Sequence, residues 1–186
     1  MNRILPFIFS LLLLALPIKV SAQQFAIKTN LLFDVAMTPD IGVEFVTGEH
    51  TSMAVSVFGH WKPWGMQSKL IAVQPEFRYW FNGRPLVREY IGATIFGAAY
   101  DIALGGNVYQ GDALNFGLTG GYVFPLGKRV NIELSGGFGV LIFKQKKYLQ
   151  SDHYDEYFVG SATRTNANGY KLFPAKLGVT FIYIIK

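Results

Sequence analysis

The chain has 186 residues, enough for one domain, and it contains no cysteine. This excludes disulfide frameworks, thiol nucleophiles, thiolate metal sites and lipidation at a cysteine. The net charge is only +5 and its basic residues are scattered, which argues against nucleic acid as a partner. Charged and aromatic residues each make up 16% of the chain and glycine numbers 20, a composition typical of a β-barrel that exposes an apolar belt to lipid.

The amino-terminal segment has the features of a secretory signal peptide. Arg3 provides the positive start, and the apolar run 4–16 is too short to span a bilayer comfortably. Ala22 is the small residue that signal peptidase prefers at the end of the signal. We therefore expect residues 1–22 to be a signal peptide and residues 23–186 to form the exported domain, with a retained signal anchor as the alternative.

The exported part reads as a series of β-strands without helical periodicity. In the clearest strand, 70–81, Val73 and Phe77 share one face while Gln74 and Glu76 share the other. The predicted strands are 25–36, 41–46, 51–61, 70–81, 88–104, 112–124, 129–143 and 171–185. Eight is the smallest number of strands that closes a membrane barrel.

The connections between these strands differ in length according to their position. The connections 47–50, 82–87 and 125–128 are short, whereas 62–69, 103–111 and 144–170 are longer; 37–40 is a short exception. Outer-membrane barrels have short periplasmic turns and longer extracellular loops. The predicted fold is therefore all-β, an eight-stranded antiparallel up-and-down transmembrane β-barrel in the outer membrane. A soluble β-sandwich is the alternative.

The last predicted strand resembles the C-terminal targeting strand of bacterial outer-membrane barrels. Gly178 lies on one face, while Phe181 and Tyr183 lie on the opposite, apolar face. We expect the barrel-assembly machinery and outer-membrane lipid to be partners of this chain. The alternative is an ordinary closing strand of a soluble β-sandwich.

The predicted inward face carries charges of both signs. These residues are Lys28, Asp34, Glu44, Glu76, Arg78, Glu133 and Lys176. The interior of an eight-stranded barrel is just wide enough for its side chains, so inward charges must pair. We predict a plug of salt bridges and hydrogen bonds; a proton path or narrow pore is the alternative.

The long predicted loop 144–170 is the candidate for a function outside the cell. Lys144, Lys146 and Lys147 at its start are placed to meet anionic sugar-lipid head groups. Its aromatic residues, with Tyr154 and Tyr157 as the binding candidates, form either a binding patch or an interfacial girdle.

We prefer the girdle, because aromatic residues also recur at other predicted strand ends. These are Trp61, Trp64, Trp80 and Tyr109.

No catalytic, metal or cofactor site is predicted from the residues. The three histidines are widely spaced, and no serine lies in a nucleophile elbow. Asp152, His153, Asp155 and Glu156 cluster in the long loop, where a divalent-ion site is the alternative to a solvated loop.

Two segments carry a resemblance to a known family: Lys28-Thr29-Asn30-Leu31-Leu32-Phe33-Asp34, and Glu76-Phe77-Arg78-Tyr79-Trp80-Phe81 followed by a glycine turn. They resemble domain of unknown function 3575 (DUF3575), a family of small outer-membrane barrels of Bacteroidota. The resemblance covers nearly the whole exported chain. Family members often lie in gene clusters for surface fimbriae, which implies fimbrial or surface proteins as partners, and no catalytic residue can be carried over.

These observations together predict a non-enzymatic outer-membrane barrel with a role in surface anchoring, fimbria-associated assembly or envelope integrity. The alternative is a barrel that handles small solutes or lipids, or one with an enzymatic site on its rim.

Overall fold

The computed structural model describes residues 24–104, 107–149 and 165–185. Eight antiparallel strands pair in chain order, and the first also pairs with the last, from Ala26 opposite Ile184 to Asn30 opposite Thr180, so the sheet closes into a barrel. The strands are β1 Phe25–Asn30, β2 Asp40–Val46, β3 Thr51–Trp61, β4 Ser68–Trp80, β5 Arg88–Leu104, β6 Asn107–Pro125, β7 Val130–Leu149 and β8 Thr165–Ile184. The predicted all-β, up-and-down arrangement of eight strands is confirmed, and the β-sandwich alternative is wrong.

The two ends of the barrel differ. At one end lie the turns 47–50, 81–87 and 126–129 together with both ends of the strand series; we call this the turn end. At the other, the loop end, lie the connections 31–39 and 62–67 together with the strand ends at Leu104, Asn107, Leu149 and Thr165. Among the residues that the structure describes, no helix has the length and apolar character needed to cross a membrane.

The first predicted strand is wrong beyond Asn30. The side-chain oxygen of Asn30 accepts a hydrogen bond from the backbone N–H of Leu32 at 3.2 Å, and a short helix, α1 (Leu31–Val35), follows. Asn is a favoured N-cap because its side chain satisfies a free N–H at the helix start. The chain therefore leaves the strand six residues before the predicted end at residue 36, and it reaches β2 through α1.

Strands β6, β7 and β8 extend five or six residues further toward the loop end than predicted. β5 and β6 pair as far as Leu104 and Asn107, so the predicted loop 103–111 is mostly strand. β7 and β8 pair as far as Lys147 and Thr165, so much of the predicted loop 144–170 is also strand. The backbone pairing continues where the outward residues become polar, and apolar alternation does not mark such segments.

The outward face of the barrel is apolar along its middle. On β4 and the turn after it, the outward residues from Ile71 to Phe81 are all apolar or aromatic, and the same holds on β6 from Leu114 to Phe124 except for Gly120. The large residues of both faces are exposed: Ile71, Val73, Phe77, Tyr79, Phe81, Leu114, Phe116, Leu118, Tyr122 and Phe124. The inward residues between them are buried or half-buried, so the barrel carries its apolar side chains mainly on the outside.

A β-bulge interrupts the pairing of β7 with β8. Gly137 pairs with Lys176 while the next residue, Phe138, pairs with Pro174, which leaves Ala175 as the extra residue. A Cβ atom on Gly137 would clash with the backbone oxygen of Leu118, whereas a Cβ on Gly136 would meet nothing within 4 Å. The strands therefore approach closely at Gly137 and only a glycine fits there.

We predict that Gly137→Ala lowers the free energy of unfolding by about 1–3 kcal/mol, because the added methyl group forces the backbone of β6 away from β7. The neighbouring Gly136→Ala is the matched control and changes this free energy by less than about 0.5 kcal/mol. Urea unfolding followed by circular dichroism measures both. Equal losses in the two variants contradict the close approach.

Candidate functional site in the barrel interior

Six charged side chains meet inside the barrel, nearer to the turn end. They are three cations and three carboxylates, joined by ion pairs of 2.6–3.2 Å: Lys28, Arg78, Lys176, Glu44, Glu76 and Glu133. Lys176 is the most exposed of them, at 13%. Opposite charges in equal number cancel, which is the condition under which charges can be buried at all. We call this group the ion cluster.

Glu133 on β7 is the centre of the ion cluster. Its Oε2 accepts hydrogen bonds from Lys28 Nζ at 2.8 Å and from Arg78 Nη1 at 2.9 Å. Its Oε1 accepts from the hydroxyl of Tyr90 at 2.7 Å and from Lys176 Nζ at 3.2 Å. One carboxylate therefore holds all three cations, which come from β1, β4 and β8.

Arg78 uses all five of its N–H donors within the ion cluster. Nε and Nη2 donate to Glu76 Oε2 at 3.0 and 2.6 Å, and Nη1 donates to Glu44 Oε2 at 2.9 Å. Both terminal nitrogens also donate to Glu133, at 2.9 and 3.2 Å. The guanidinium carbon lies 4.4 Å from the centre of the Tyr90 ring, a cation–π contact. No N–H donor of Arg78 is therefore left for a further partner.

Hydroxyl groups complete the carboxylates of the ion cluster. Ser52 Oγ donates to Glu44 Oε1 and Thr119 Oγ1 donates to Glu76 Oε1, each at 2.5 Å. With Tyr90, these residues bring every strand into the network. In chain order the contributions are Lys28, Glu44, Ser52, Glu76 with Arg78, Tyr90, Thr119, Glu133 and Lys176.

An apolar layer fills the interior between the ion cluster and the turn end. It comprises Ala26, Trp80, Leu86, Tyr90, Val123 and Ile182. Leu86 comes from the turn 81–87, which folds into the barrel, and Asn131 Nδ2 donates to the Leu86 carbonyl at 2.6 Å. The indole N–H of Trp80 donates to Ser52 Oγ at 2.8 Å. This layer, which we call the apolar seal, closes the turn end of the interior.

A cavity of about 590 Å³ occupies the interior on the other side of the ion cluster, toward the loop end. Lys28, Arg78 and Lys176 line it on the side of the ion cluster, while its walls are largely apolar. The wall residues include Phe58, Phe96, Ala98, Ala113, Leu141, Phe143 and Phe173. The interior therefore has three layers along the barrel axis: apolar seal, ion cluster and cavity.

Six of the seven charged residues expected on the inward face lie in the ion cluster, and Asp34 does not. Asp34 belongs to α1 and is exposed at the loop end, where it accepts a hydrogen bond from Thr29 Oγ1 at 2.7 Å. The expectation for Asp34 is wrong because the chain leaves the strand at Asn30. Asp40, at the start of β2, is the carboxylate that lines the cavity instead.

The residues named for the predicted targeting strand all lie on β8. Phe181 and Tyr183 face outward, and Gly178 faces inward, where a Cβ would meet the Asn30 amide at 2.9 Å.

The three lysines expected in a loop lie on β7 instead. Lys144 and Lys146 are exposed on its outer face, and Lys147 is paired with Thr165 in the same sheet. The placement of Lys144, Lys146 and Lys147 in a loop is therefore wrong, because the pairing of β7 with β8 continues past them. Tyr154 and Tyr157 lie outside the described residues.

The aromatic residues expected at strand ends divide into two groups. Trp61 and Trp64 are exposed at the loop end. Trp80 is fully buried in the apolar seal and Tyr109 lines the cavity, so their assignment to a girdle is wrong. Trp80 lies two residues after the inward-facing Arg78, and residues two apart on a strand share one face. This spacing in the sequence contradicts the girdle assignment of Trp80.

Several interior residues were not expected from the sequence. Tyr90, Thr119 and Ser52 are ordinary strand residues in composition, and only their position on the inward period marks them. The inward side chain of Asn115 is fully buried, and neither its nitrogen nor its oxygen has a hydrogen-bond partner among the described residues.

Within the described part of the chain, no group of three or more histidine and acidic side chains is placed to hold a metal ion. The cluster 152–156 lies outside it.

The arrangement defines a class of protein: a closed, eight-stranded, up-and-down β-barrel whose interior is held by a buried ion cluster. A family model described as a protein of unknown function (DUF3575) matches residues 8–185, nearly the whole chain. The chain belongs to the DUF3575 family, which confirms the resemblance read from its sequence. No curated protein and no solved structure matches it.

We predict that Glu133→Gln lowers the free energy of unfolding by about 3–5 kcal/mol, because it leaves three buried cations facing two carboxylates. The double variant Glu133→Gln/Lys176→Gln restores equal numbers of charges. Its loss is expected to fall short of the sum of the two single losses by about 0.5–3 kcal/mol. Denaturant unfolding of the four proteins measures this coupling.

The exposed Glu89, on the outer face of β5, provides the control for the loss of a carboxylate. Glu89→Gln is expected to unfold as the wild type does. Additive losses in the double variant would mean that the ion cluster does not act as a unit.

Proposed function

We propose that this protein is an integral outer-membrane β-barrel, exported by a signal peptide at residues 1–22, that serves as a non-enzymatic, non-conducting surface component. The observation that carries this proposal is the distribution of side chains: apolar residues outside a closed barrel and charged residues inside it. A protein folded in water buries its large apolar side chains, whereas a barrel in a bilayer exposes them to lipid.

The length of the apolar belt supports membrane insertion. On β4 the outward residues are apolar from Ile71 to Phe81, and the next outward residue toward the loop end is Lys69. This is eleven residues, ten on β4 and Phe81 directly after it, within the range of about 9–11 for a tilted membrane-spanning strand. Charged residues begin at the corresponding level of neighbouring strands, with Asp101 on β5 and Asp112 on β6.

Aromatic side chains on the outer face near the turn end support the same proposal. Phe25 packs on Phe45 with ring centres 5.0 Å apart, and Tyr122 packs on Phe124 at 4.6 Å. Tyr79, Phe81 and Tyr183 are also exposed at this end. Such girdles lie at membrane interfaces. The two longest connections, 31–39 and 150–164, join strands at the loop end, so we assign the loop end to the outside and the turn end to the periplasm.

Lys144 and Lys146 fit this orientation. They extend the outer face of β7 beyond its last apolar residue, Ile142, toward the loop end. The outer leaflet of such membranes carries anionic sugar-lipid head groups at that height, which attract exposed cations. Outer-membrane lipid is therefore the first partner we propose, and the barrel-assembly machinery that reads β8 is the second.

The filled interior favours a surface-anchoring role over conduction. The ion cluster and the apolar seal occupy the cross-section between the cavity and the turn end. A barrel of eight strands leaves room for side chains and no aqueous channel once those side chains are large. Catalysis has no support among the described residues, where the three glutamates of the ion cluster are held in ion pairs and Asp40 accepts the backbone N–H of Asn30.

The proposal is tested by placing an arginine on each side of the sheet and comparing how well the two variants insert. Val73→Arg places a guanidinium on the lipid-facing side of β4 and is expected to cost about 2–4 kcal/mol of insertion free energy. Gln74→Arg, the next residue, points into the cavity and is expected to cost less. The measurement is the amount of each protein in the outer-membrane fraction and its heat-modifiable migration in gels.

The wild type is expected in the outer-membrane fraction, with migration that changes on heating. Wild type that stays in the soluble fraction and migrates identically before and after heating contradicts membrane insertion. Equal effects of Val73→Arg and Gln74→Arg contradict the assignment of the outward face to lipid.

A link to surface fimbriae is the more specific part of the proposed role, and it rests on the family resemblance alone. If the barrel anchors or helps to assemble such fibres, deletion of its gene reduces the number of fibres on the cell, and the wild-type gene restores them. Electron microscopy of the three strains measures this. Unaltered fibres after deletion would exclude the fimbrial role and leave membrane insertion untouched.

A further inference from the structure

The cavity between the ion cluster and the loop end has the properties of a binding site for a small amphipathic molecule. Its volume of about 590 Å³ falls in the range of about 300–1,000 Å³ found for small-molecule sites. It is closed toward the turn end by the ion cluster and the apolar seal. A ligand therefore enters and leaves from the loop end.

The walls of the cavity are apolar at the middle of its depth. Phe58 and Phe96 stack with ring centres 5.7 Å apart and nearly parallel planes, and Phe33 of α1 packs on Phe58 at 4.9 Å. Leu141 and Phe143 of β7 line the same space. Aromatic and aliphatic walls of this kind bind the hydrocarbon part of a ligand, because its transfer from water is favourable.

The end of the cavity near the ion cluster, its floor, is polar. Gln74 reaches across the interior to donate to the carbonyl of Ala175 at 2.8 Å, and Asn30 donates to the carbonyl of Leu177 at 3.2 Å. Along β3 the inward residues change from Ser56 near the floor to Phe58 above it, and a polar residue returns only at the loop end, with His60. A bound molecule therefore meets polar groups at the floor and hydrocarbon above it.

The charges that face the cavity are mainly positive. Lys28, Arg78 and Lys176 line the floor, whereas none of the three glutamates of the ion cluster is among the described lining residues. Lys171 lines the walls above them. Asp40 is the opposing carboxylate; its Oδ1 already accepts the backbone N–H of Asn30 at 2.8 Å. The ion cluster is neutral as a whole, but its cations lie on the side that faces the cavity and its glutamates do not, so a ligand meets positive charge first. This arrangement favours an anionic ligand over a cationic one.

One lysine of the floor, Lys28, also retains donor capacity, whereas Lys176 makes three hydrogen bonds, to Glu76, Glu133 and Tyr90. An ammonium group has three donors. Lys28 makes two hydrogen bonds within the described part of the chain, to Glu44 at 2.7 Å and to Glu133 at 2.8 Å. Arg78, in contrast, has all five donors engaged. Lys28 therefore has an N–H to offer to an acceptor in the cavity.

We propose that the loop half of the barrel binds a single-chain anionic amphiphile, a carboxylate on an apolar chain, with the carboxylate at the Lys28 side of the floor and the chain against Phe58, Phe96 and Phe143. The inference rests on the proposed function only in assigning the loop end to the outside of the cell. It makes the barrel a receptor or carrier for such molecules at the surface.

The test uses the full exported chain in nanodiscs of zwitterionic phosphatidylcholine, titrated with octanoate, octanol and octylammonium by calorimetry. Empty nanodiscs measure partitioning into lipid, which is subtracted. Octanoate is expected to bind at one site and about tenfold or more tightly than octylammonium, because the floor attracts the anion and repels the cation. Heat-modifiable migration shows that the barrel is folded in the discs.

Two tryptophan variants on β5 separate the cavity from the lipid-facing surface. Ala98→Trp fills the cavity from its wall and is expected to weaken octanoate binding by about tenfold or more, since the added ring occupies the place of the chain. Ala93→Trp, on the outer face of the same strand, is the matched control and binds octanoate as the wild type does.

Each outcome bears on one claim. Absence of octanoate binding to the folded wild type, tighter binding of octylammonium, or equal binding by wild type and Ala98→Trp overturns the proposed site. Equal binding of all three probes overturns the role of the charged floor. A chain that folds but does not insert into discs contradicts membrane insertion instead, and the same titration in buffer then tests the cavity by itself.

Discussion

The pairing of Glu133 with three cations is the interaction on which the rest of the structure depends. Lys28 lies on the first strand, Lys176 on the last and Arg78 on the fourth, so one carboxylate connects strands that are far apart in the chain. A buried carboxylate without these partners would cost several kcal/mol, on the order of the entire stability of a domain. The closed barrel brings the partners together, and the paired charges in turn require that the barrel be closed.

The ion cluster is a device for specificity more than for stability. Apolar residues of similar volume would often fill such a space at equal or lower free energy. Charges, however, are satisfied in one arrangement only, because a register shift of one residue on β4 would move Glu76 and Arg78 from the interior to the outer face. In a chain with apolar side chains on both faces of its strands, such as β5 near Ile95 and Phe96, this restriction selects one register among several with similar apolar content.

The sequence predicts which side chains face inward. It does not predict the level along the barrel axis at which each of them lies. A period of two assigns Glu44, Glu76, Arg78 and Glu133 to one side of the sheet, and equal numbers of opposite charges imply that they pair. The period fails where the chain leaves the strand, as at Asn30, since an N-cap and a strand residue look alike in an apolar segment. It fails again at the bulge on β8, where Ala175 and Lys176 both face inward, because nothing local marks the extra residue.

Polar strand ends were also missed, since apolar alternation stops where the outward residues become polar while backbone pairing continues. Tyr109 and Lys144 were read as loop residues on that ground and lie on β6 and β7. Which inward residues would meet across the barrel depends on the stagger between strands, and the sequence contains no direct record of it. The packing of the apolar seal around Trp80, the hydrogen bond from Tyr90 to Glu133 and the cavity all follow from that stagger.

The cavity in the half of the barrel nearer to the loop end is not a requirement of the eight-stranded fold. Interiors of barrels of this size are filled by side chains, and the turn half of this one is filled to the point where Trp80 and Leu86 are wholly buried. In the loop half, the walls carry alanine at 98 and 113, on two neighbouring strands, where a leucine would occupy the space. An unfilled apolar cavity forgoes stabilisation roughly in proportion to its volume, about 24 cal/mol for each Å³ in a well-packed core. Aromatic walls above a polar floor, kept open by small residues, are the arrangement expected where the missing contacts are supplied by a ligand.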